Sequence, residues 1–164
     1  ERDPHAEKKI MVMIRYPERL TYAGRLDKDS EGLILLTNDG DLINAMMLGA
    51  NRHEKEYIVK TDREITPDFL QKMAKGIYLK DLDITTRECE IEQIGKFTFR
   101  IVLTQGVNRQ IRRMCEACGY RVKARKRIRI MNVLLGDLKP GKWREVTGEE
   151  LEQLQRDTGM LNRN

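Results

Sequence analysis

The sequence has few aromatic residues, few cysteines and no long apolar run, and each shortage excludes a class of protein. Among 164 residues only nine are aromatic, so the core must be mostly aliphatic. An odd number of cysteines, three, argues against a disulfide framework. The longest stretch without a charged residue, Leu42 to Asn51, has ten residues, about half of what a membrane-spanning helix needs. Because no apolar signal segment opens the chain either, we expect a cytoplasmic protein with no membrane partner.

Cysteine and histidine are also too scattered to predict a metal site. Cys115 and Cys118 form a C-x-x-C pair, but there is no second pair, and His5 and His53 lie far away in sequence. Both cysteines continue the apolar stripe of a predicted helix that begins near Ile111. Core packing therefore explains them, and we predict neither a metal nor a cofactor.

Positive charge, in contrast, is concentrated in one segment. The net charge of the chain is +5, yet the segment from Arg109 to Arg129 alone carries nine Lys and Arg residues and one Glu, a local charge of +8. The rest of the chain is thus mildly acidic. This distribution is typical of a protein that binds a polyanion, with nucleic acid the first candidate. A charged surface that only meets water is the alternative interpretation.

Hydrophobic periodicity predicts an α+β fold in which a central mixed, largely antiparallel sheet is flanked by helices. The predicted helices are His5 to Ile14, Asp41 to Leu48, one from Thr66-Pro67 to Gly76, one capped by Asn108 and ended by Gly119, and one opened by a capping box of Thr147 and Glu150. The predicted strands are Leu20 to Asp27, Gly32 to Asn38, Glu54 to Thr61, a hairpin that turns at Gly95-Lys96, Arg121 to Ile130, and Trp143 to Val146.

The segment from Gly24 to Gly40 is the densest candidate for chemistry. Asp27 ends a predicted apolar strand at a polar loop, where a carboxylate can be held rigidly and still reach a substrate. Asp29 and Glu31 are competing carboxylates close by. Spacing alone fits a structural turn equally well.

A second candidate is the predicted helix after Asn108. Its first turns carry Arg109, Arg112 and Arg113 next to backbone N–H groups that have no partner within the helix. This combination favours binding of a phosphate or a carboxylate.

Three ordered motifs resemble one known family. The segment Gly24 to Gly40, GRLDKDSEGLILLTNDG, resembles the seventeen-residue signature of the RsuA/RluB/RluE/RluF family of bacterial rRNA pseudouridine synthases. His53 to Val59 is similar to the K-x-Y-x-V strand of that family, and Gln105 to Met114 to its G-x-N-R-Q-I-R-R-M block. The later segments Arg127 to Ile130 and Gly141 to Arg144 follow the closing pattern of the family.

The resemblance implies a pseudouridine synthase catalytic domain over residues 1–164, which acts on a uridine of ribosomal RNA, in particular 23S rRNA, as a monomer without a cofactor. It implies that Asp27 attacks the target uridine, that Tyr57 stacks on the uracil and removes the C5 proton, and that Arg112 keeps the aspartate ionised. A non-catalytic rRNA-binding or ribosome assembly module is the alternative function. A base-excising hydrolase is disfavoured, because no paired acid and base are found.

The same resemblance implies a set of RNA contacts. Arg25 corresponds to a residue that fills the space left by the extruded base. The other predicted RNA-binding residues are Lys55, Asn108, Arg109, Gln110, Arg113, Arg125, Lys126, Arg127 and Arg129. Members of the family usually begin with an S4 RNA-binding domain and a strand with a K-P-x-G motif. Neither occurs in this sequence, so we expect a catalytic domain without them.

Overall fold

The computed structural model describes residues 12–13, 21–22, 26 and 29–161. Its main sheet has six strands in the order β11, β10, β5, β9, β8, with β3 also paired to β10. These strands are β3 (Glu31–Gly32), β5 (Lys55–Thr61), β8 (Glu90–Gly95), β9 (Thr98–Leu103), β10 (Val122–Ile130) and β11 (Val133–Leu134). All pairs are antiparallel except β3 with β10.

Two smaller sheets complete the strand inventory of the described residues. In one, β4 (Leu35–Thr37) lies between β1 (Val12–Met13), which is parallel to it, and β2 (Thr21–Tyr22), which is antiparallel. In the other, β6 (Tyr78–Leu79) pairs with β7 (Ile84–Thr85). The predicted mixed, largely antiparallel α+β architecture is confirmed.

Four helices accompany the sheets in the described part of the chain: α1 (Gly40–Met47), α2 (Pro67–Lys75), α3 (Gln110–Ala117) and α4 (Gly148–Asp157). Local sequence explains where two of them begin. The Asp39 carboxylate accepts hydrogen bonds from the backbone of Asp41 and Leu42 at 3.1 and 3.2 Å, and the Thr66 hydroxyl accepts one from Phe69 at 3.1 Å. Both are N-caps that satisfy otherwise unpaired N–H groups.

Two separate hydrophobic clusters form the core. The first joins β4 and α1 to the last quarter of the described chain, and it contains Leu33, Leu35, Leu42, Met46, Ile130, Met131, Val133, Leu135, Val146 and Leu154. The second lies under α2 and α3, and it contains Val59, Ile65, Phe69, Met73, Leu79, Phe99, Ile101, Leu103, Ile111, Met114 and Cys115. Cys115 is fully buried there, as its helical spacing predicts.

Close contact between β3 and β10 depends on one glycine. Gly32 has φ +123°, a conformation that side chains rarely adopt. A Cβ atom on it would lie 2.3 Å from the carbonyl oxygen of Arg127 and 2.4 Å from its nitrogen. Only glycine therefore allows this backbone to lie against β10.

Two predicted elements are wrong. Of the helix predicted over His5 to Ile14, the structure describes Val12–Met13, and these two residues form a strand beside β4 instead. The other residues of that prediction lie outside the described part of the chain. The strand predicted over Trp143 to Val146 is reduced to an isolated bridge at Glu145, and β11 takes the place beside β10. For Val12–Met13, pairing with the distant strand β4 decides the structure, and local periodicity does not report it.

One predicted helix cap is also wrong, and a predicted capping box does not form at its N-cap residue, Thr147. The N-cap of α3 is Arg109 with φ 53°, not Asn108, and it makes no side-chain capping bond. Thr147 does precede α4, but it makes no capping bond. Instead, the Glu150 carboxylate accepts two hydrogen bonds from the Arg144 guanidinium at 2.7 and 2.8 Å. A bidentate ion pair competes successfully with a capping box for this carboxylate.

In the part of the chain that the structure describes, no helix is long and apolar enough to cross a membrane.

Candidate active site

A cleft of about 220 Å³ lies where β5, β9 and β10 meet the end of α1 and the start of α3. Its floor is polar and formed by side chains of neighbouring strands, Lys55, Tyr57, Arg125 and Arg127. Met46, Met47 and Leu48 form an apolar wall, and residues 104–108 form a second wall. A planar base could enter between these walls, with cations beneath it.

Tyr57 and Lys55 project into this cleft from the same face of β5, since they are two residues apart. Both are half-buried. Burial lowers the pKa of Lys55, and the nearby positive charge of Arg127 lowers it further. The predicted site residue Tyr57 therefore stands beside two cationic side chains.

The two buried arginines of β10 hold the segment that follows Asp27 in sequence. Arg125 is 5% exposed and donates a hydrogen bond from Nε to the Ser30 hydroxyl. Arg127 is 2% exposed and donates from Nε to the carbonyl oxygen of Leu33 at 2.9 Å. Residues 30–33 are thus fixed to the floor of the cleft by the same side chains that line it.

At the start of α3, Arg109 and Gln110 also line the cleft. The left-handed conformation of Arg109 places its guanidinium 3.5 Å from the Asp29 carboxylate. Gln110 is buried, and its Nε2 lies 3.4 Å from Gln105 Oε1. Asn108 is exposed and accepts two hydrogen bonds from Arg113, at 2.8 Å on its carbonyl oxygen and 3.3 Å on Oδ1.

Arg112 lies beside the cleft rather than in its lining. Its Nε is 3.1 Å from a carboxylate oxygen of Glu116, one helical turn later, and it faces a second groove. Asp27 and Arg25 lie outside the described residues. The predicted pairing of Asp27 with Arg112 therefore stays a prediction.

Two of the predicted RNA-binding residues lie on the opposite face of the sheet. The register of β10 against β5 shifts between Arg127, which pairs with Tyr57, and Arg129, which pairs with Glu56. This β-bulge turns Arg129 away from the cleft and onto Glu56 at 2.6 Å. Lys126 alternates with the buried arginines on either side and is exposed on that same opposite face.

Residue-pattern reasoning missed the apolar wall and a histidine. Met46, Met47 and Leu48 end α1 at the cleft, and Met47 and Leu48 are about half exposed. Three consecutive apolar residues exceed what one buried helix face needs, which is the signal that could have found them. His53 also lines the cleft, and its Nε2 is buried with no hydrogen-bond partner among the described residues. Burial, together with the charge of Lys55, lowers the pKa of His53.

Cys115 is buried, Cys89 is half-buried, and neither lines the cleft. Burial raises the pKa of the Cys115 thiol to about 12 and that of Cys89 to about 11, so both thiols stay protonated at neutral pH. Among the described residues, no three His, Cys, Asp or Glu side chains are grouped to hold a metal ion.

Comparison with known proteins places the chain among RNA-modifying enzymes. Residues 2–117 match the family model described as RNA pseudouridylate synthase. Over 145 residues the chain is 48% identical to "Dual-specificity RNA pseudouridine synthase RluF" of Escherichia coli K12, an alignment that covers 88% of this chain and 49% of that protein. The Asp-Pro-His start and the His-Glu-Lys-Glu-Tyr run of this chain also resemble RluF.

More distant relatives agree. An "Uncharacterized RNA pseudouridine synthase" of Aquifex aeolicus is 35% identical over 148 residues, which cover 89% of this chain and 61% of that protein. A solved structure described as "Crystal structure of pseudouridylate synthase" superposes with a TM-score of 0.79 at 31% identity, covering 82% of this chain and 59% of the other. The chain spans about half the length of the RluF proteins that it matches.

Proposed function

The chain belongs to the RNA pseudouridylate synthase family, and we propose that it isomerises one uridine of 23S rRNA to pseudouridine. We further propose that it acts as a monomer in the cytoplasm and needs no metal or cofactor. The observation that carries the proposal is Tyr57, half-buried on β5 in a cleft whose floor is cationic. Ser30, which Arg125 holds against that floor, lies three residues after Asp27 in sequence.

In the proposed reaction the C1′–N1 bond of the uridine breaks, the uracil turns, and C5 bonds to C1′. The proton on C5 is then lost and N1 gains one, so no water enters and no group leaves. The carboxylate of Asp27 either adds to C1′ and is displaced when C5 bonds there, or takes a proton from C2′ and returns it when C5 bonds to C1′. Either role requires the carboxylate to be ionised. In the proposal, the guanidinium of Arg112 favours that ionised form, as the family resemblance implies.

The residues of the cleft have separate roles in this proposal. Tyr57 stacks on the uracil and removes the C5 proton, and Lys55 and Arg127 offset the charge that builds up on the base. The apolar wall of Met46, Met47 and Leu48 contacts the face of the base or the sugar. A base held there must be flipped out of its helix, which costs a few kcal/mol, and Arg25 would fill the gap.

A non-catalytic RNA-binding module would need the cationic floor but not a tyrosine set between cations in a cleft. The combination of Tyr57 with the motif around Asp27 supports the enzyme instead.

Release of tritium from 5-tritiated uridine in 23S rRNA tests the proposal. In the full-length protein, Asp27→Asn should reduce turnover by at least about a hundredfold while RNA binding is kept, because the amide retains the shape but loses the charge. Asp29→Asn is the matched control two residues away and should retain most of the activity. Turnover by Asp27→Asn within about tenfold of wild type would remove Asp27 from the catalytic role.

A further inference from the structure

A second groove, of about 320 Å³, adjoins the cleft at the start of β10. We name it the side groove and define it by Arg112, Arg121 and Lys123. Arg125 lines both the side groove and the cleft, so the two cavities are neighbours. If one nucleotide of an RNA strand enters the cleft, the neighbouring nucleotides must lie over surfaces that adjoin it, and the side groove is one such surface.

Both carboxylates in the side groove are already engaged. Asp29 lies 3.5 Å from Arg109, and Glu116 lies 3.1 Å from Arg112. The side chains of Arg121 and Lys123 are exposed, and neither makes a hydrogen bond or ion pair within the part of the chain that the structure describes. The side groove thus keeps two cations that no carboxylate neutralises.

The backbone that carries these two cations is fixed. The Arg121 N–H donates a hydrogen bond to Asp62 at 2.8 Å, and the Asp62 N–H donates one to the Arg121 carbonyl oxygen at 3.0 Å. Val122, between the two cations, pairs with Thr61 in the sheet. Flexible cationic side chains on a rigid base suit a ligand whose anionic groups repeat along a chain.

We propose that the side groove binds phosphates of the RNA strand that flanks the uridine held in the cleft, with Arg121 and Lys123 as the main contacts. This inference rests on the proposed function and adds the path of the strand. Arg121 can hold a phosphate with two parallel N–H donors, whereas Lys123 acts as a point charge. In this proposal the phosphates are bound by Arg121, directly before β10, and by Lys123 near its start, and not by the buried Arg125.

The test measures binding of a uridine-containing RNA stem-loop by the full-length protein as a function of salt. In Arg121→Gln/Lys123→Gln the log–log salt dependence should weaken by about 1.4, two contacts at about 0.7 each. Lys139→Gln/Lys142→Gln removes the same charge from an exposed loop that lines neither cavity, and its slope should match that of wild type. An unchanged slope in the side-groove variant, or equal changes in both variants, overturns the inference.

A second arm locates the contact on the RNA. Replacing the phosphates next to the uridine with neutral methylphosphonates should weaken binding by wild type and leave Arg121→Gln/Lys123→Gln unaffected. If the methylphosphonates weaken binding by Arg121→Gln/Lys123→Gln as much as they weaken binding by wild type, these side chains contact other phosphates and the proposal is overturned. Binding is read without turnover, so failure of the isomerase activity and failure of the side groove are separate results.

Discussion

The two faces of the main sheet use arginine in different ways. On the cleft face, Arg125 and Arg127 are buried and donate to a hydroxyl and a backbone carbonyl in residues 30–33. On the opposite face, Arg100 and Arg129 lie in a network of ion pairs with four carboxylates, those of Glu54, Glu56, Glu90 and Glu92. One face organises backbone around a cleft, and the other neutralises charge.

This difference shows that a count of basic residues overstates the positive charge available to a ligand of the cleft. Arg127 and Arg129 are two positions apart in one strand, and strict alternation would place them on the same face. The β-bulge between them separates them, so that Arg129 is held by Glu54 and Glu56. Position relative to the bulge decides what each guanidinium does.

The largest expected effect comes from closing the space between β3 and β10. Gly32→Ala forces a left-handed backbone on alanine and drives its Cβ into Arg127, so we expect a loss of more than about 3 kcal/mol in the free energy of unfolding. Urea unfolding followed by circular dichroism measures it. Gly40→Ala is the control, because nothing lies within 4 Å of a Cβ there. Equal stabilities of the two variants would mean that β3 does not lie against β10 in this way.

A smaller effect should separate the two arginines on either side of the bulge. Arg127→Met leaves the carbonyl oxygen of Leu33 without its donor in a buried place, at a cost of about 2 to 3 kcal/mol. Arg129→Met leaves glutamates that solvent or Arg100 can reach, at a cost of about 1 kcal/mol. Thermal unfolding of both variants compares them. A larger loss of stability in Arg129→Met than in Arg127→Met would contradict this assignment of roles to the two arginines.

The smallest expected effect is on the pH dependence of stability, and it comes from Glu56 on the face of the sheet opposite the cleft. Burial raises the pKa of Glu56, but hydrogen bonds from Arg129 and Arg100 outweigh it, and the pKa ends below the ordinary 4.5. A carboxyl whose pKa is lower in the folded state stabilises the protein above pH 4.5, and this contribution is lost as the pH falls through the folded value. Glu56→Gln should therefore flatten the acid side of the stability profile.

The control for this acid effect is Glu92→Gln, which removes a carboxylate that is 60% exposed in the same network. Solvent screens that carboxylate, so its loss should change the profile less. Unfolding temperatures measured from pH 3 to pH 7 would show the difference. Identical profiles for Glu56→Gln and wild type would contradict the role of Glu56.

Sequence alone predicts the elements whose pattern is local. The alternating strand β9 and the i, i+3, i+4 stripe of α3 appear in the structure, because burial on one side dictates each of them. The hairpin between β8 and β9 also forms, but its turn lies at Lys96-Phe97, one residue later than predicted. Val12–Met13 and Trp143 to Val146 could not be predicted in this way. The state of Val12–Met13 depends on the distant strand β4 beside it, and Trp143 to Val146 keeps only an isolated bridge at Glu145.

The site was predictable to the same degree. Tyr57 and Lys55 share a strand face by simple alternation, and the structure places both in the cleft. The split between Arg127 and Arg129 follows from a bulge, and Arg109 lies near Asp29 with a left-handed backbone; neither feature has a local sequence signal. The place of His53 in the cleft could not be predicted, because it depends on the three-dimensional contact between the start of β5 and the end of α1.

The two hydrophobic clusters set an order for folding during synthesis. Every buried residue of the second cluster lies between Val59 and Cys115, so this cluster can close while the rest of the chain is still being made. The first cluster joins Leu33 to Leu154, and its loops close only after about 120 further residues have left the ribosome. Arg125 and Arg127 reach Ser30 and Leu33 only when β10 exists. Because its floor contains side chains of β10, we expect the cleft to form later than the second cluster.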